Sequence, residues 1–245
     1  MKRILPLLVL LTLAAALPYV HASPNAMIQN DSSYTDSLGY YHVVGEVLNN
    51  GDASLTFIKI SGVFKDSGSQ VADTELTYAY TNYLPAGQKA PFDLFVADTQ
   101  KSSHVVSYTL ALEYEATTGA VPLQLTIEGT TSSPDSLGFL EVVGQVRNSG
   151  QTISNFTKVV GTFYDQAGKV IAVEFSYTSP SGIPAGQAYG FKLIVDDAAI
   201  SSRVAKYALF AESNQYTSIP EIPWPFILLS AGLTLCWVVI RRKRA

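Results

Sequence analysis

Along most of the chain, apolar and polar residues alternate with a period of two. Tyr41, Val43, Gly45 and Val47 share one side of such a run, and Leu140, Val142, Gly144 and Val146 share one side of another. The same spacing returns in Ile58, Ile60, Gly62 and Phe64, in Phe92, Leu94 and Val96, and in Val106, Tyr108, Leu110 and Leu112. A two-residue period puts alternate side chains on one face, so each run predicts a strand half buried in a core. Sustained helical periodicity is confined to the two ends. Turn chemistry separates the runs. Asn49-Asn50-Gly51 and Asn148-Ser149-Gly150 tolerate positive φ, and Asp66-Ser67-Gly68, Asp165-Gln166-Ala167-Gly168 and two Pro-Ala-Gly-Gln segments supply further turns.

The pattern occurs twice. Residues 36–96 and 135–195 align without a gap at a shift of 99 residues, and 25 of the 61 paired positions are identical. Asp36-Ser37-Leu38-Gly39 returns as Asp135-Ser136-Leu137-Gly138, and Pro85-Ala86-Gly87-Gln88 as Pro184-Ala185-Gly186-Gln187. A unit of this length can close its own core, which points to two tandem domains over 26–115 and 124–214. About seven short strands per unit predict an all-β chain of two immunoglobulin-like β-sandwiches. The linker, 116–123, is short and uncharged and should limit bending. Residues shared by the copies should serve folding, and a specific site is expected where they differ.

The ends carry a different signal. Lys2 and Arg3 precede an apolar stretch from Ile4 to Val20, and Val20-His21-Ala22 has the small residues of a cleavage site. Residues 1–22 therefore read as a signal peptide cut between Ala22 and Ser23. At the other end, residues 226–240 hold no charge and Arg241, Arg242, Lys243 and Arg244 follow at once. This predicts a transmembrane helix over 226–240 and a basic cytoplasmic tail over 241–245. The expected topology is a single-pass protein of the cell membrane with both domains outside. Pro220, Pro223 and Pro225 make 215–225 a stiff stalk.

The net charge is −4 although both ends are basic, so the body between them is distinctly acidic. With no Lys/Arg cluster in that body, nucleic acid is not an expected partner. The single cysteine, Cys236, lies in the apolar terminal segment, which leaves the domains without a disulfide or thiol.

Candidate chemistry is sparse. His42 and His104 are the histidines of the body, and the second copy has Glu141 and Arg203 in their places. Neither pairs with a cysteine or belongs to a Ser/His/Asp pattern, and no zinc-ligand spacing occurs, so the expectation is no enzyme, no catalytic residue, no metal and no cofactor. His42 is expected to face solvent on its strand. Asp135, Asp196, Asp197 and Glu115 are the acidic groups that an interdomain calcium would use, but no Asp-x-Asp-x-Asp-Gly loop is present. Asp66 and Asp165 precede turns and should bond the turn backbone. Glu75 and Glu174 recur and should face solvent. Tyr80 and Tyr83 have Ser179 and Gly182 as counterparts, which makes them candidate binding aromatics as well as ordinary strand residues. Asn30 and Asn155 begin glycan-acceptor triplets, Asn30-Asp31-Ser32 and Asn155-Phe156-Thr157.

Two resemblances follow from particular segments. The series Val-x-Gly-x-Val-x-Asn-x-Gly, Gly-x-Phe-x-Asp and Pro-Ala-Gly-Gln resembles the FxLYD family of extracellular β-sandwich domains. Its hallmark segment reads Val63-Phe64-Lys65-Asp66 and Thr162-Phe163-Tyr164-Asp165 here, without the full Phe-x-Leu-Tyr-Asp string. That likeness implies a surface location and no catalytic residues. Pro220-Glu221-Ile222-Pro223, the apolar segment and the basic end are similar to the PEF-CTERM sorting signals of archaeosortase substrates, with Ile222 at the Phe position. A tail of that kind would be cut near the motif. The leading expectation is a non-enzymatic, membrane-anchored surface protein whose domains bind a surface protein or glycan or act as envelope scaffold. A processed envelope protein is the alternative, and an exported hydrolase using His42 or His104 is a third class.

Overall fold

The computed structural model describes residues 25–218 and the backbone of 224–225. Strands β1 (Ala26–Thr35), β2 (Tyr41–Asn49), β3 (Ser54–Lys65), β4 (Val71–Tyr78), β5 (Lys89–Val96) and β6 (Ser107–Thr117) form the first half. Strands β7 (Leu125–Pro134), β8 (Leu140–Asn148), β9 (Lys158–Tyr164), β10 (Val170–Tyr177), β11 (Ala188–Val195) and β12 (Lys206–Glu212) form the second, and β13 (Trp224–Pro225) pairs with β12. Among the described residues the first half thus has six strands and the second seven, counting the two-residue β13, against the expected seven or so per unit. Strand β3 is a single twelve-residue strand, bulged between Thr56 and Lys59.

All pairing is antiparallel within four sheets: β1-β2-β5 and β4-β3-β6, then β11-β8-β7 and β10-β9-β12-β13. In the first half Val43, Val47, Phe92 and Leu94 of one sheet pack on Leu55, Ile60 and Phe64 of the other. In the second half Val142, Val146, Phe191 and Leu193 meet Val159, Phe163 and Leu209. Gly45 interrupts the valine alternation because the Phe92 ring lies over it, and an added Cβ would stand 2.7 Å from that ring. Gly144 and Phe191 repeat the arrangement at 2.9 Å.

The shared Asn turns work through their side chains and not through positive φ, whereas Asp66 and Asp165 bond their turn backbones as expected. The fully buried Asn49 amide donates to the carbonyls of Ala53 (2.8 Å) and Leu84 (3.0 Å), and Asn148 does the same for Thr152 and Ile183, both at 2.8 Å. Asp66 Oδ1 accepts from the backbone of Gly68 and Gln70, and Asp165 Oδ1 from that of Lys169. Two four-residue helices, α1 (Thr99–Ser102) and α2 (Ala198–Ser201), are capped by Asp98 and Asp197. Among the described residues no helix is long and apolar enough to cross a membrane. The expected signal peptide, sorting motif, terminal apolar helix and basic tail lie outside the described residues.

The first residues assigned to the stalk belong instead to the second half. Tyr216, Thr217 and Ser218 are buried, the Leu125 backbone amide donates to the Thr217 carbonyl at 3.2 Å, and the Tyr216 hydroxyl meets Thr152 Oγ1 at 2.8 Å.

The two halves pack on each other through the outer faces of β2 and of β9, β10 and β12. Val44, Val160, Tyr164, Val170, Val173 and Phe210 form a separate apolar cluster there, with Tyr34, Tyr80 and Ala208 at its margin. Each large side chain fully buried this way contributes about 1.5–3 kcal/mol. The cluster explains why β9 is buried on both faces, where alternation predicts one solvated face. Two buried carboxylates flank it. Glu46 accepts from the Tyr164 hydroxyl, Asn30 Nδ2 (3.1 Å), Gln29 Nε2 (3.5 Å) and Lys89 Nζ (3.1 Å). Glu212 accepts from the Thr81 hydroxyl, from Asn82 Nδ2 (2.6 Å) and from the Asn82 backbone amide (3.1 Å). Lys158 Nζ crosses the junction to the Tyr80 carbonyl at 2.9 Å, and burial lowers its pKa from the ordinary lysine value. Further along, Lys169 Nζ reaches the Asp31 carbonyl at 3.1 Å.

Candidate functional site

Beside the apolar cluster the junction opens into a cleft of about 280 Å³. The first half supplies Tyr34, Asp36, His42, Tyr80 and Asp93, and the second supplies Glu174, Phe175, Asp196 and Asp197. Backbone pairing sets the placement. His42 stands opposite Tyr34 on β1 and Phe95 on β5, and Asp93 is opposite Val44. The His42 ring stacks between Tyr34 (4.9 Å, 3°) and Phe95 (5.4 Å, 23°). Its Nδ1 lies 2.9 Å from one Asp93 oxygen, and its Nε2 lies 3.6 Å from Asp36 Oδ2. Asp36 Oδ1 meanwhile accepts from the backbone amides of Leu38 and Tyr40, which holds the turn in place.

The electrostatics of the cleft are one-sided. Burial works against a charged His42, but the hydrogen bond and charge of Asp93, together with Asp36, outweigh it and raise the imidazole pKa. Burial first, then Asp196 and Asp93, push Glu174 up to about 8. Tyr80 is pushed up to about 12 by burial and then by Asp93 and Glu174. Tyr34 goes higher still, from burial and four surrounding carboxylates. Phe175 lines the cleft, and Phe95, stacked on His42, and Tyr177, edge-on to Phe175, lie next to lining residues; each of the three rings is about half exposed. Phe175 contacts Tyr80 at 5.5 Å and Tyr177 at 6.3 Å between ring centroids. Such a cleft repels anions and favours a group that carries positive charge beside an apolar face. Among the described residues no group of three or more His, Cys, Asp or Glu has the arrangement to hold a metal ion.

Several expectations change here. His42 is not a solvent-facing strand residue, since its side chain is only 14% exposed between two rings and two carboxylates. Glu174 does not point freely into water but lines the cleft. Tyr80 packs on Phe175 within the junction. Tyr83 lies at the junction's other end, where its hydroxyl meets Ser54 Oγ at 2.7 Å beside a small apolar pocket of about 80 Å³. The two tyrosines therefore line separate cavities. His104 is exposed, with Nδ1 2.7 Å from the Gln100 carbonyl. Of the calcium candidates, Asp196 and Asp197 line the cleft, whereas Asp135 holds its own turn through the amides of Leu137 and Phe139 and Glu115 is exposed on β6. The Asn30 amide is engaged by Glu46 at the junction. In the other triplet the Thr157 hydroxyl is buried against Ser154, and the Asn155 backbone amide donates to Gln215 Oε1 at 2.8 Å.

No family model matches the chain, and no curated protein matches it. Among solved structures, it is similar to red sea bream transglutaminase at 9% identity and a TM-score of 0.25, over 81% of this chain and 31% of that one. It is also similar to the exo-chitosanase CsxA of Amycolatopsis orientalis, at 10% identity and a TM-score of 0.29, over 80% of this chain and 26% of that one. The chain thus spans less than a third of either neighbour, and likenesses this slight transfer no activity to it.

Proposed function

We propose that this chain is a non-enzymatic, membrane-anchored protein of the cell surface. Its two immunoglobulin-like sandwiches would stand outside the membrane as one stiff body for binding or scaffolding. The junction is the observation that supports this reading. Val160, Tyr164, Val173 and Phe210 stand where the first copy has Ser61, Lys65, Thr74 and Ala111, so the second copy carries an apolar face at the junction that the first copy lacks. A passive tether between independent domains would need no buried carboxylates such as Glu46 and Glu212. The contact surface in this reading is the cleft with its exposed rim of Phe95, Phe175 and Tyr177.

Two measurements test it. On intact cells an external protease should reach the body, while an epitope after Ala245 stays protected. A tail digested from outside would refute the topology. The soluble 23–225 body should be retained by envelope preparations, and Phe95→Ser with Phe175→Ser should abolish retention. Equal retention of both proteins would remove the cleft from the proposal. The Pro220-Glu221-Ile222-Pro223 segment supports a second reading, in which the tail is cut for sorting. Intact mass of the mature chain decides between them: an end near Glu221 favours sorting, and retention of Arg241 to Arg244 favours a permanent anchor.

A further inference from the structure

Glu174 occupies the same position in the second copy as Glu75 in the first, but its surroundings have been reversed in charge. In the first copy Lys101 pairs with Asp73 at 3.0 Å and its charge also feels Glu75. The corresponding residues of the second copy are Ile200 and Ala172, both buried and both lining the cleft. Glu174 has thereby lost its cation. What faces it instead is negative from both halves: Asp93 of β5 across the junction, and Asp196 at the end of β11 on its own side. The other titratable groups on the cleft are Tyr34 of β1, His42 of β2, Asp36 in the turn between them, Tyr80 after β4, and Asp197 at the cap of α2. His42 is the one cationic candidate among these, and its ring is engaged by Asp93 and Asp36. Among the described residues no hydrogen bond or ion pair reaches the Glu174 carboxyl.

We propose that Glu174 makes the junction a proton-operated latch, closed while its carboxyl is protonated against Asp93 and Asp196 and loosened when that proton leaves. Parting the two halves separates Glu174 from Asp93 and admits water, so an open junction returns the carboxyl towards its ordinary value of 4.5. In the closed junction burial and the two neighbouring carboxylates hold it up to about 8. A value raised in the closed state means that the latch is fully effective below about 4.5. It weakens as pH rises and has lost its contribution above about 8. His42, also raised, favours the closed arrangement in the same direction because its cationic form offsets Asp93 and Asp36. Opening should therefore become easier by up to roughly tenfold per pH unit between these limits. The consequence for a surface protein is a two-domain body that is stiff in acid and more compliant in mildly alkaline surroundings.

Hydrogen exchange on the full chain in detergent micelles tests this between pH 5.5 and 8.5, after correction for intrinsic exchange chemistry. Peptides from β10 and from Tyr80–Asn82 should lose protection steeply with pH, while β3 peptides of the first core hold theirs. Glu174→Gln should flatten the junction profile at its protected level. Glu75→Gln, the same change beside Lys101, should leave the slope intact. Asp196→Asn, which removes one repelling charge, should move the midpoint to lower pH. A flat wild-type profile, or a slope that survives Glu174→Gln, overturns the latch.

Discussion

The duplication places one pair of residues in two environments, and this allows a controlled measurement of the junction. Lys59 and Glu113 lie opposite each other on β3 and β6 and form an exposed ion pair at 2.8 Å. Lys158 and Glu212 hold the equivalent register on β9 and β12, yet neither bonds the other. Glu212, 5% exposed, is turned onto the Thr81 hydroxyl, the Asn82 backbone amide and the Asn82 side-chain amide. Glu212→Ala removes three donors' worth of charge-assisted bonds. Hydrogen bonds to a charged group contribute about 1.5–3 kcal/mol each, but the three share one carboxylate and are not additive. Asn82 is itself exposed and can be hydrated after the change, and the Thr81 hydroxyl keeps its 2.9 Å bond to the Tyr83 carbonyl, so the cost is that of the lost charge-assisted bonds and not of an orphaned donor. A loss of about 2–4 kcal/mol is expected. With a urea slope of about 2–3 kcal/mol per M, the unfolding midpoint of the 23–225 body should fall by about 1 M. Glu113→Ala should leave the midpoint unchanged, because screened surface pairs contribute little. Equal midpoints for the two variants would mean that the junction is not held by this carboxylate, and that its position reflects packing alone.

Gly45→Ala should cost about 1–3 kcal/mol, since the new Cβ is forced against the Phe92 ring at 2.7 Å, and a lowered Tm in calorimetry checks it. Phe57→Asn should stabilise by about 1 kcal/mol, because Phe57 holds φ +49° with its ring 68% exposed, and Asn tolerates that backbone at no loss of core. A fall in Tm would show that the exposed ring contributes packing. Tyr164→Phe should weaken the junction by about 1–2 kcal/mol, read as a lower urea midpoint, because Glu46 keeps its bonds from Asn30 and Lys89 when the hydroxyl goes.

The strands and turns could be read from the chain because they depend on local chemistry that both copies retain. Asp36-Ser37-Leu38-Gly39 and its counterpart bond their own backbones, and Gly87 and Gly186 sit at φ +74° and +75° in their Pro-Ala-Gly-Gln turns. Alternation located the inward valines for the same reason. The junction could not be read this way, because a period of two identifies one buried face and is silent about a second. A signal was present all the same. Val159-Val160 and Phe163-Tyr164 break the alternation of β9, and large apolar side chains replace Ser61, Lys65 and Ala111 of the first copy. Comparing the copies finds the divergent face, but it does not say which surface will cover it. Glu174 looks like a solvated strand residue until the other half is set beside it, whereas His42 is covered by Tyr34, Phe95, Asp36 and Asp93 of its own half, which alternation along β2 alone does not reveal. Glu46 and Lys158 are invisible at this level, since a glutamate and a lysine on alternating strands carry no mark of burial.

Because the outer face of β2 meets a face of the other kind, on β9, β10 and β12, the association is head-to-tail and leaves two unlike ends. Such an arrangement has no internal reason to stop, and repeated addition would build a filament. The outer surface of β4-β3-β6 instead keeps the Lys59–Glu113 pair, and that of β11-β8-β7 keeps Arg147–Glu128 and Lys192–Glu141. In the first half Ser61, Lys65, Thr74 and Ala111 stand where Val160, Tyr164, Val173 and Phe210 grip the neighbouring unit, so a third unit would meet a largely polar face there. The length of the array is thus written on its two terminal surfaces.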